Sequence, residues 1–337
     1  LGTLVLMTSR PLRTTPQGMT RIDIPALLLD DCYKLSNAID PDNSIPAHLM
    51  RVAGGVPAAV VHLAHASKEG LIKEDSQFET TSDGSRLRPV YEAWLDAVPK
   101  NVRASLGVTA ALGDLVDPDV LEKVAQAIVP TPALTNELVH RGMLVRDPAS
   151  SRVRFSSKLE AEVAYARLSR GHRSTVHRQA ALVLAQKGTD PDIVAKHFED
   201  AGDKSEALEK YREATVVYAE RKARPRLIAC YRKACELATD VPGEDNRFME
   251  DALALIPMLL EAGKVGDVEV LILNAEKAAQ AVGDPRFAVQ VTAQRIQMMI
   301  SQNLFQEAGP ILNDALAKAR ELRDGTLLSD LLAQADE

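Results

Sequence analysis

Apolar residues recur at helical spacing along most of this chain, and the exception comes first. Leu4 to Met7 is a continuous apolar run, followed by Thr8-Ser9-Arg10-Pro11. Such a run reads as a strand buried on both faces, as in a parallel sheet. A lone strand cannot satisfy its backbone groups. Its partners are not evident downstream, so they are expected upstream of Leu1. Residues 11–25, rich in Pro and Thr, read as a loop with a short strand at its end. From Asp30 to Asp40 the pattern turns helical, with Cys32, Leu35 and Ile39 on one face. Pro46 opens a second helix carrying Leu49, Met50 and Val52. That helix breaks at Gly54-Gly55 and restarts at Pro57, with Ala59, Val60, Leu63 and Ala64 on the new stretch. Glycine lets the backbone turn tightly and approach another group, and proline suits the first turn of a helix. The corner therefore presents bare backbone and a flat apolar ring. Taken alone, it is a plain helix–turn–helix corner.

The polar stretch 73–89 is the best linker in the first half. Beyond it the spacing predicts helices at Tyr91–Val98, Asn101–Leu112, Pro118–Ile128 and Thr131–Arg141, with Gly142 as a C-cap. Met143-Leu144-Val145, a turn of Asp, Pro, Ala and two serines, and Val153-Arg154-Phe155 then predict a β-hairpin. Helices followed by a small hairpin describe a winged helix. From about Leu159 the chain reads as helix after helix with short turns. Similar Ala-rich segments begin at Lys233, Lys277 and Lys318, spaced 44 and 41 residues apart. A spacing near 40 with two helices per unit predicts a stacked array of helical hairpins. Ala207, Ala214, Ala234 and Ala278 would let helices approach closely, while Tyr211 and Tyr231 would fill the gaps.

Composition narrows the functional classes. A length of 337 residues predicts two or three domains. The net charge of −7 disfavours nucleic-acid binding by the chain as a whole, and 4% aromatics leave little surface for stacking bases. Three cysteines without a C-x-x-C pair fit a reducing cytoplasm. No apolar run is long enough to span a membrane. Residue 1 is Leu, which suggests that the chain begins inside a longer protein.

Candidate chemistry is sparse. Asp30 and Asp31 follow an apolar run as a Walker B acid would, but no GxxxxGK[ST] loop exists to accompany them, and first-turn helix acids are the better reading. Gly263-Lys264 is followed by Val265, not Ser or Thr. His62 and His65 share a helix face without a third ligand, so surface or partly buried positions outweigh a metal site. The same holds for His172, His177 and His197. No G-x-S-x-G elbow supports a nucleophile. The helix that would enter a DNA groove, Thr131–Arg141, has one Arg and one Glu, a poor phosphate footprint.

Four features stand in order: the apolar strand ending in Thr8-Ser9-Arg10, the Gly54-Gly55-Val56-Pro57 corner, the hairpin running into Phe155-Ser156-Ser157 and a helix, and the helical array. This order resembles the signal-transducing NTPases with numerous domains (the STAND class). It is similar to the ATPase modules of LuxR-type and MalT-like regulators, of adenylate cyclase-like proteins and of some kinases. The resemblance covers essentially the whole chain. It implies a mainly α fold: the end of an NTPase core at 1–25, a helical lid at 26–75, a winged helix at 88–158, and TPR-like helical repeats forming a superhelix at 159–337. It implies that Arg10 senses the γ-phosphate, a role suited to an always-charged, forked guanidinium. Gly55 and Pro57 would match the lid corner whose proline packs on the nucleotide base. Ser157 stands where the family often has a histidine touching the β-phosphate of ADP, and a hydroxyl brings no positive charge there.

The implied function is the regulatory arm of an ATP/ADP-dependent switch, such as a cytoplasmic transcription regulator. A protein or small-molecule inducer would act on the repeats. Homo-oligomers, and DNA contacts made by a domain outside this chain, fit the same picture. Phosphate loop, Walker B acid and Mg site would precede Leu1, so these residues are not an ATPase by themselves. Either the chain is the C-terminal piece of a larger switch, or its numbering starts late within one. The alternative is a nucleotide-independent adaptor whose helical repeats bind another protein.

Overall fold

A computed structural model describes residues 25–41, 45–68, 70 and 88–335. The run Leu4–Met7, Arg10 and nearly all of the 73–89 linker lie outside the described residues. Two compact units result, one of residues 25–122 with 129–167, the other of 123–128 with 168–335.

The first unit opens with α1 (Leu29–Ile39), α2 (Ala47–Val52) and α3 (Pro57–Lys68). Asp30 and Asp31 do occupy the first turn of α1, where acids complement the helix dipole. Cys32, Leu49, Met50, Val60 and Leu63 form the buried centre of the trio, with Leu35 and Ile39 packed at its edge. Next in the chain come α4 (Arg88–Ala97), α5 (Lys100–Leu112), α6 (Pro118–Ile128), whose residues from Lys123 on belong to the second unit, and α7 (Thr135–His140). The helix expected from Thr131 is shorter than its periodicity suggested. The Ala133 N–H donates to Ser105 Oγ at 3.0 Å, and Leu134 is extended at φ −70°, ψ 152°. Winding cannot start before Thr135.

The expected hairpin is present as β1 (Val145–Arg146) and β2 (Val153–Arg154), antiparallel, with Val145 opposite Arg154. Val116 adds a bridge to Val153 through two 2.8 Å backbone bonds. The last element, α8 (Lys158–Ala166), packs on α4 and α5.

The second unit is a run of helix pairs: α9 (Arg170–Gln186) with α10 (Pro191–Ala201), α11 (Lys204–Glu220) with α12 (Arg224–Ala238), α13 (Asp245–Glu261) with α14 (Val265–Val282), α15 (Pro285–Ser301) with α16 (Phe305–Leu322), and then α17 (Gly325–Ala335). Each helix packs on the next, α13 also touches α15, and α15 touches α17. The Ala-rich segments at Lys233, Lys277 and Lys318 are the ends of α12, α14 and α16, so the spacing near 40 was a true structural period. Ala207, Ala214, Ala234 and Ala278 are all buried as expected, and Tyr211 is buried with them.

The turns repeat more strictly than the helices. Within successive pairs the chain reverses through a left-handed residue at Lys222 (φ 54°), Gly263 (φ 68°) and Asn303 (φ 60°). In each turn the next N–H reaches back to the helix: Ala223 to Tyr218 O, Lys264 to Leu259 O and Leu304 to Met299 O, all at 2.9 Å. These bonds satisfy carbonyls that a helix end would leave orphaned. Between pairs, left-handed residues recur at Gly202, Gly243, Gly283 and Arg323. An acid follows each of them, and Asp203, Glu244 and Asp284 stand at the N-caps of α11, α13 and α15.

Neighbouring pairs are tied by charge as well as by apolar packing. Arg212 on α11 donates from Nε to Asp251 Oδ2 on α13 at 2.8 Å and from Nη1 to Glu244 Oε2 at 2.5 Å. Arg212 and Asp251 are both buried. Burial raises the Asp251 carboxyl from its ordinary value, and the Arg212 contact opposes that rise. In the first pair, His177 and His197 are buried with their Nδ1 atoms 3.0 Å apart. Burial lowers both imidazoles, His197 to about 4, and the neighbouring His177 lowers His197 further. Pro257 sits inside α13. Lacking an N–H, it removes the i+4 donor from the Leu253 carbonyl, at a cost on the order of 3 kcal/mol for a helix interior.

Two outcomes follow from these pairs. Asp251→Ala takes one of two close carboxylate partners from a buried guanidinium and lowers unfolding free energy by about 3–5 kcal/mol, read by urea denaturation. The His197 imidazole has a folded pKa below its unfolded one, so the unfolded chain binds the extra proton. Its contribution is complete above about pH 6.5 and is lost as pH falls toward about 4. Unfolding measured across that window should show stability falling with acid, and His197→Gln should flatten the slope.

Candidate functional site

The corner between α2 and α3 is built around a close backbone approach. Gly54 and Gly55 both have positive φ, 60° and 72°. Leu27 N donates to Gly55 O at 2.9 Å. A Cβ on Gly55 would stand 2.5 Å from Leu27 O and 2.8 Å from Ala26 Cβ. No other residue fits there, because the segment before α1 is laid directly on the turn. The same tightness turns the next two side chains outward. Val56 is 43% exposed and Pro57, which opens α3, is exposed.

The inner face of α3 carries a buried polar contact. His62 is 2% exposed, and its Nε2 lies 2.7 Å from Oε1 of Glu160 on α8. Its ring meets Tyr91 and Trp94 of α4 edge-on, with centroids 5.2 and 5.7 Å away. His62 is thus fully buried, not at the surface. One turn on, His65 faces Gly142, where an added Cβ would come within 2.8 Å of His65 Nε2. Burial, then His62 and Lys68, hold the His65 imidazole below its ordinary pKa, which keeps it neutral near pH 7. The C-cap expected at Gly142 is therefore also a seat for α3.

Ser157 is the N-cap of α8. Its Oγ accepts from Glu160 N at 3.3 Å and donates to Glu160 Oε1 at 2.9 Å. Serine at the N-cap with glutamate three residues on is the capping-box arrangement, and here the same glutamate also meets His62. Tyr91 joins the group: burial first, then the Glu160 charge, pushes its phenol up to about 12. Beside the α8 N-terminus lies a cleft of about 220 Å³, lined in part by Arg154, Ser157, Lys158 and Asp114. It places two cations near a helix end whose N–H groups favour anions.

Of the four residues singled out from sequence, Arg10 lies outside the described residues. Gly55 and Pro57 share the corner, and Ser157 reaches α3 through Glu160 and His62. Glu160, Tyr91 and Trp94 were missed. The Ser157–Glu160 spacing was a readable signal for the first of them, but nothing in the sequence pairs Glu160 with His62, 98 positions earlier. Among the described residues no three His, Cys, Asp or Glu side chains could hold a metal, and no helix is long and apolar enough to cross a membrane. Cys32, Cys230 and Cys235 are free and buried.

No protein-family model matches the chain, and no curated protein matches it. Among solved structures it is similar to a Signal Transduction ATPase with Numerous Domains (STAND) protein with a tetratricopeptide repeat sensor from Pyrococcus horikoshii, at 12% identity and a TM-score of 0.44. That similarity covers 94% of this chain and 51% of the other, so the chain spans about half of that protein's length. At this identity and score it adds nothing to what the helices themselves show.

Gly55→Ala combines a left-handed backbone with a clash against Leu27 and should cost well over ~1 kcal/mol, read as a lowered thermal midpoint. Ser157→Ala removes the cap together with the hydroxyl's bond to Glu160 Oε1 and should cost about 1 kcal/mol. Equal costs for the two would contradict the geometry described.

Proposed function

We propose that this chain is the regulatory arm of an ATP/ADP-dependent signalling switch of the STAND type. Residues 88–158 serve as its winged helix, and the helix pairs receive a protein or small-molecule signal. The observation that carries this reading is the linkage of the exposed Pro57 ring to Ser157. Pro57 opens α3, Ser157 caps α8, and the buried His62–Glu160 contact joins the two helices. A group suited to a purine face and a group suited to a phosphate would then respond together. Arg154 and Lys158 would supply the positive charge that Ser157 lacks. Arg10 would sense the γ-phosphate, with Mg held outside this chain. Signal and nucleotide would be coupled because each favours one arrangement of the arm. The output, transcriptional or otherwise, would come from a further domain.

A second reading, the nucleotide-independent adaptor, is favoured by one observation. The Ser157 hydroxyl is already engaged with Glu160 at both its donor and acceptor roles. The test is binding of fluorescent ADP to the full-length protein. The switch reading predicts binding, about tenfold weakening by Pro57→Ala or Arg10→Ala, and tighter ADP retention with Ser157→His, which restores a cation. Absence of ADP binding, with none of these variants altering the protein, supports the adaptor.

A further inference from the structure

Helix α14 carries apolar residues on two opposite faces. Val268, Leu271, Ile272 and Ala275 are buried in the array, and one such face is what holds a helix in place. On the other side Val270 is 59% exposed and Leu273 48%. Gly266, Val270, Leu273, Lys277 and Gln280, all exposed, follow one another at steps of four, three, four and three residues. That is the spacing of a coiled-coil seam.

The charges on α14 divide the same way. Its four charged residues are Asp267, Glu269, Glu276 and Lys277. Asp267 pairs sideways with Arg232 of α12, and Glu276 with Arg295 of α15 at 2.6 Å. Glu269 and Lys277, on the outer face, have no charged partner among the described residues. They stand four residues before and four residues after Leu273, about 12 Å apart along the helix.

A second α14 laid antiparallel on this seam answers both features. Val270 of each helix then faces Leu273 of the other, which makes two adjacent apolar layers. Helical side chains lean toward the N-terminus of their own helix. Lys277 therefore leans toward the partner's Glu269, and Glu269 toward the partner's Lys277. In parallel pairing each charge would meet its own kind. The face is complementary to itself in one orientation, as a two-fold interface requires.

We propose that the outer face of α14 docks a second copy of this chain, α14 against α14, antiparallel about a two-fold axis. A single helix pair buries less than the roughly 1,600 Å² of a standard interface, so the dimer is weak, with a dissociation constant on the order of 10 µM. This goes beyond the receiving role of the helix pairs, since it joins two arms to each other. It needs no nucleotide, so it stands or falls separately from the ADP result.

Sedimentation equilibrium of the full chain, from about 1 to about 200 µM, tests it. The chain should pass from monomer to dimer over that range. Leu273→Glu should weaken association at least tenfold. Glu269→Lys and Lys277→Glu should each weaken it about tenfold alone, because each sets like charges against each other. An equimolar mixture of these two variants should associate as tightly as the unaltered chain, and so should one chain carrying both changes. The altered side chains are exposed, so all the variants should keep the thermal midpoint. The proposal is overturned if the chain stays monomeric to about 200 µM, or if it grows beyond a dimer. It is also overturned if the dimer survives Leu273→Glu, which would place it on another surface, or if the mixed variants associate no better than each alone.

Discussion

The buried contact between His62 and Glu160 is the constraint on which the first unit depends. An imidazole and a carboxyl group taken out of water must face each other, because each alone would be left without compensation. Here the two come from helices far apart in sequence. Their meeting fixes where α3 lies against α8 and how Tyr91 and Trp94 of α4 close around them. It also sets the outer surface. With His62 buried on one side of α3 and Gly55 held under Leu27, the Pro57 ring stands exposed. The functional reading of the corner thus rests on a contact on the opposite side of the same helix.

The second unit is governed by repetition. Each reversal needs one residue with positive φ, and an acid follows that residue in the turns between pairs. Four such turns, at Gly202, Gly243, Gly283 and Arg323, keep successive first helices in the same relation. Where glycine is replaced by Lys222, Asn303 or Arg323, the turn keeps its shape at a cost near ~1 kcal/mol each. Apolar packing of small residues then closes the helices, and Arg212 with Asp251 locks one pair to the next. Such arrays gain stability from neighbour to neighbour rather than from a single centre.

Much of this fold was legible in the sequence, for physical reasons. Helical periodicity is a local property, so most helices and the hairpin fell where apolar spacing put them. The repeat showed through Ala-rich helix ends because close packing demands small side chains there. The turns in which a left-handed residue precedes an acid mark the same period more clearly than the helices do. What stayed hidden was non-local. Helix α7 lost its first residues to a bond from Ala133 to Ser105, across 28 positions. His62 reads from sequence as half of a helix-face pair with His65, because its partner, Glu160, lies in a different helix. The spacing of Ser157 and Glu160 marks an N-cap in the sequence itself, but only the structure shows the hydroxyl engaged by Glu160 in both its donor and acceptor roles.

Joined through His62 and Glu160, α3 and α8 should behave as one piece. Native-state hydrogen exchange of the full chain carrying His62→Ala measures this directly. Amides of α3 and α8 should lose protection together and by similar factors, while those of α11 to α14 are unchanged. Loss confined to α3, with α8 as protected as before, would contradict it.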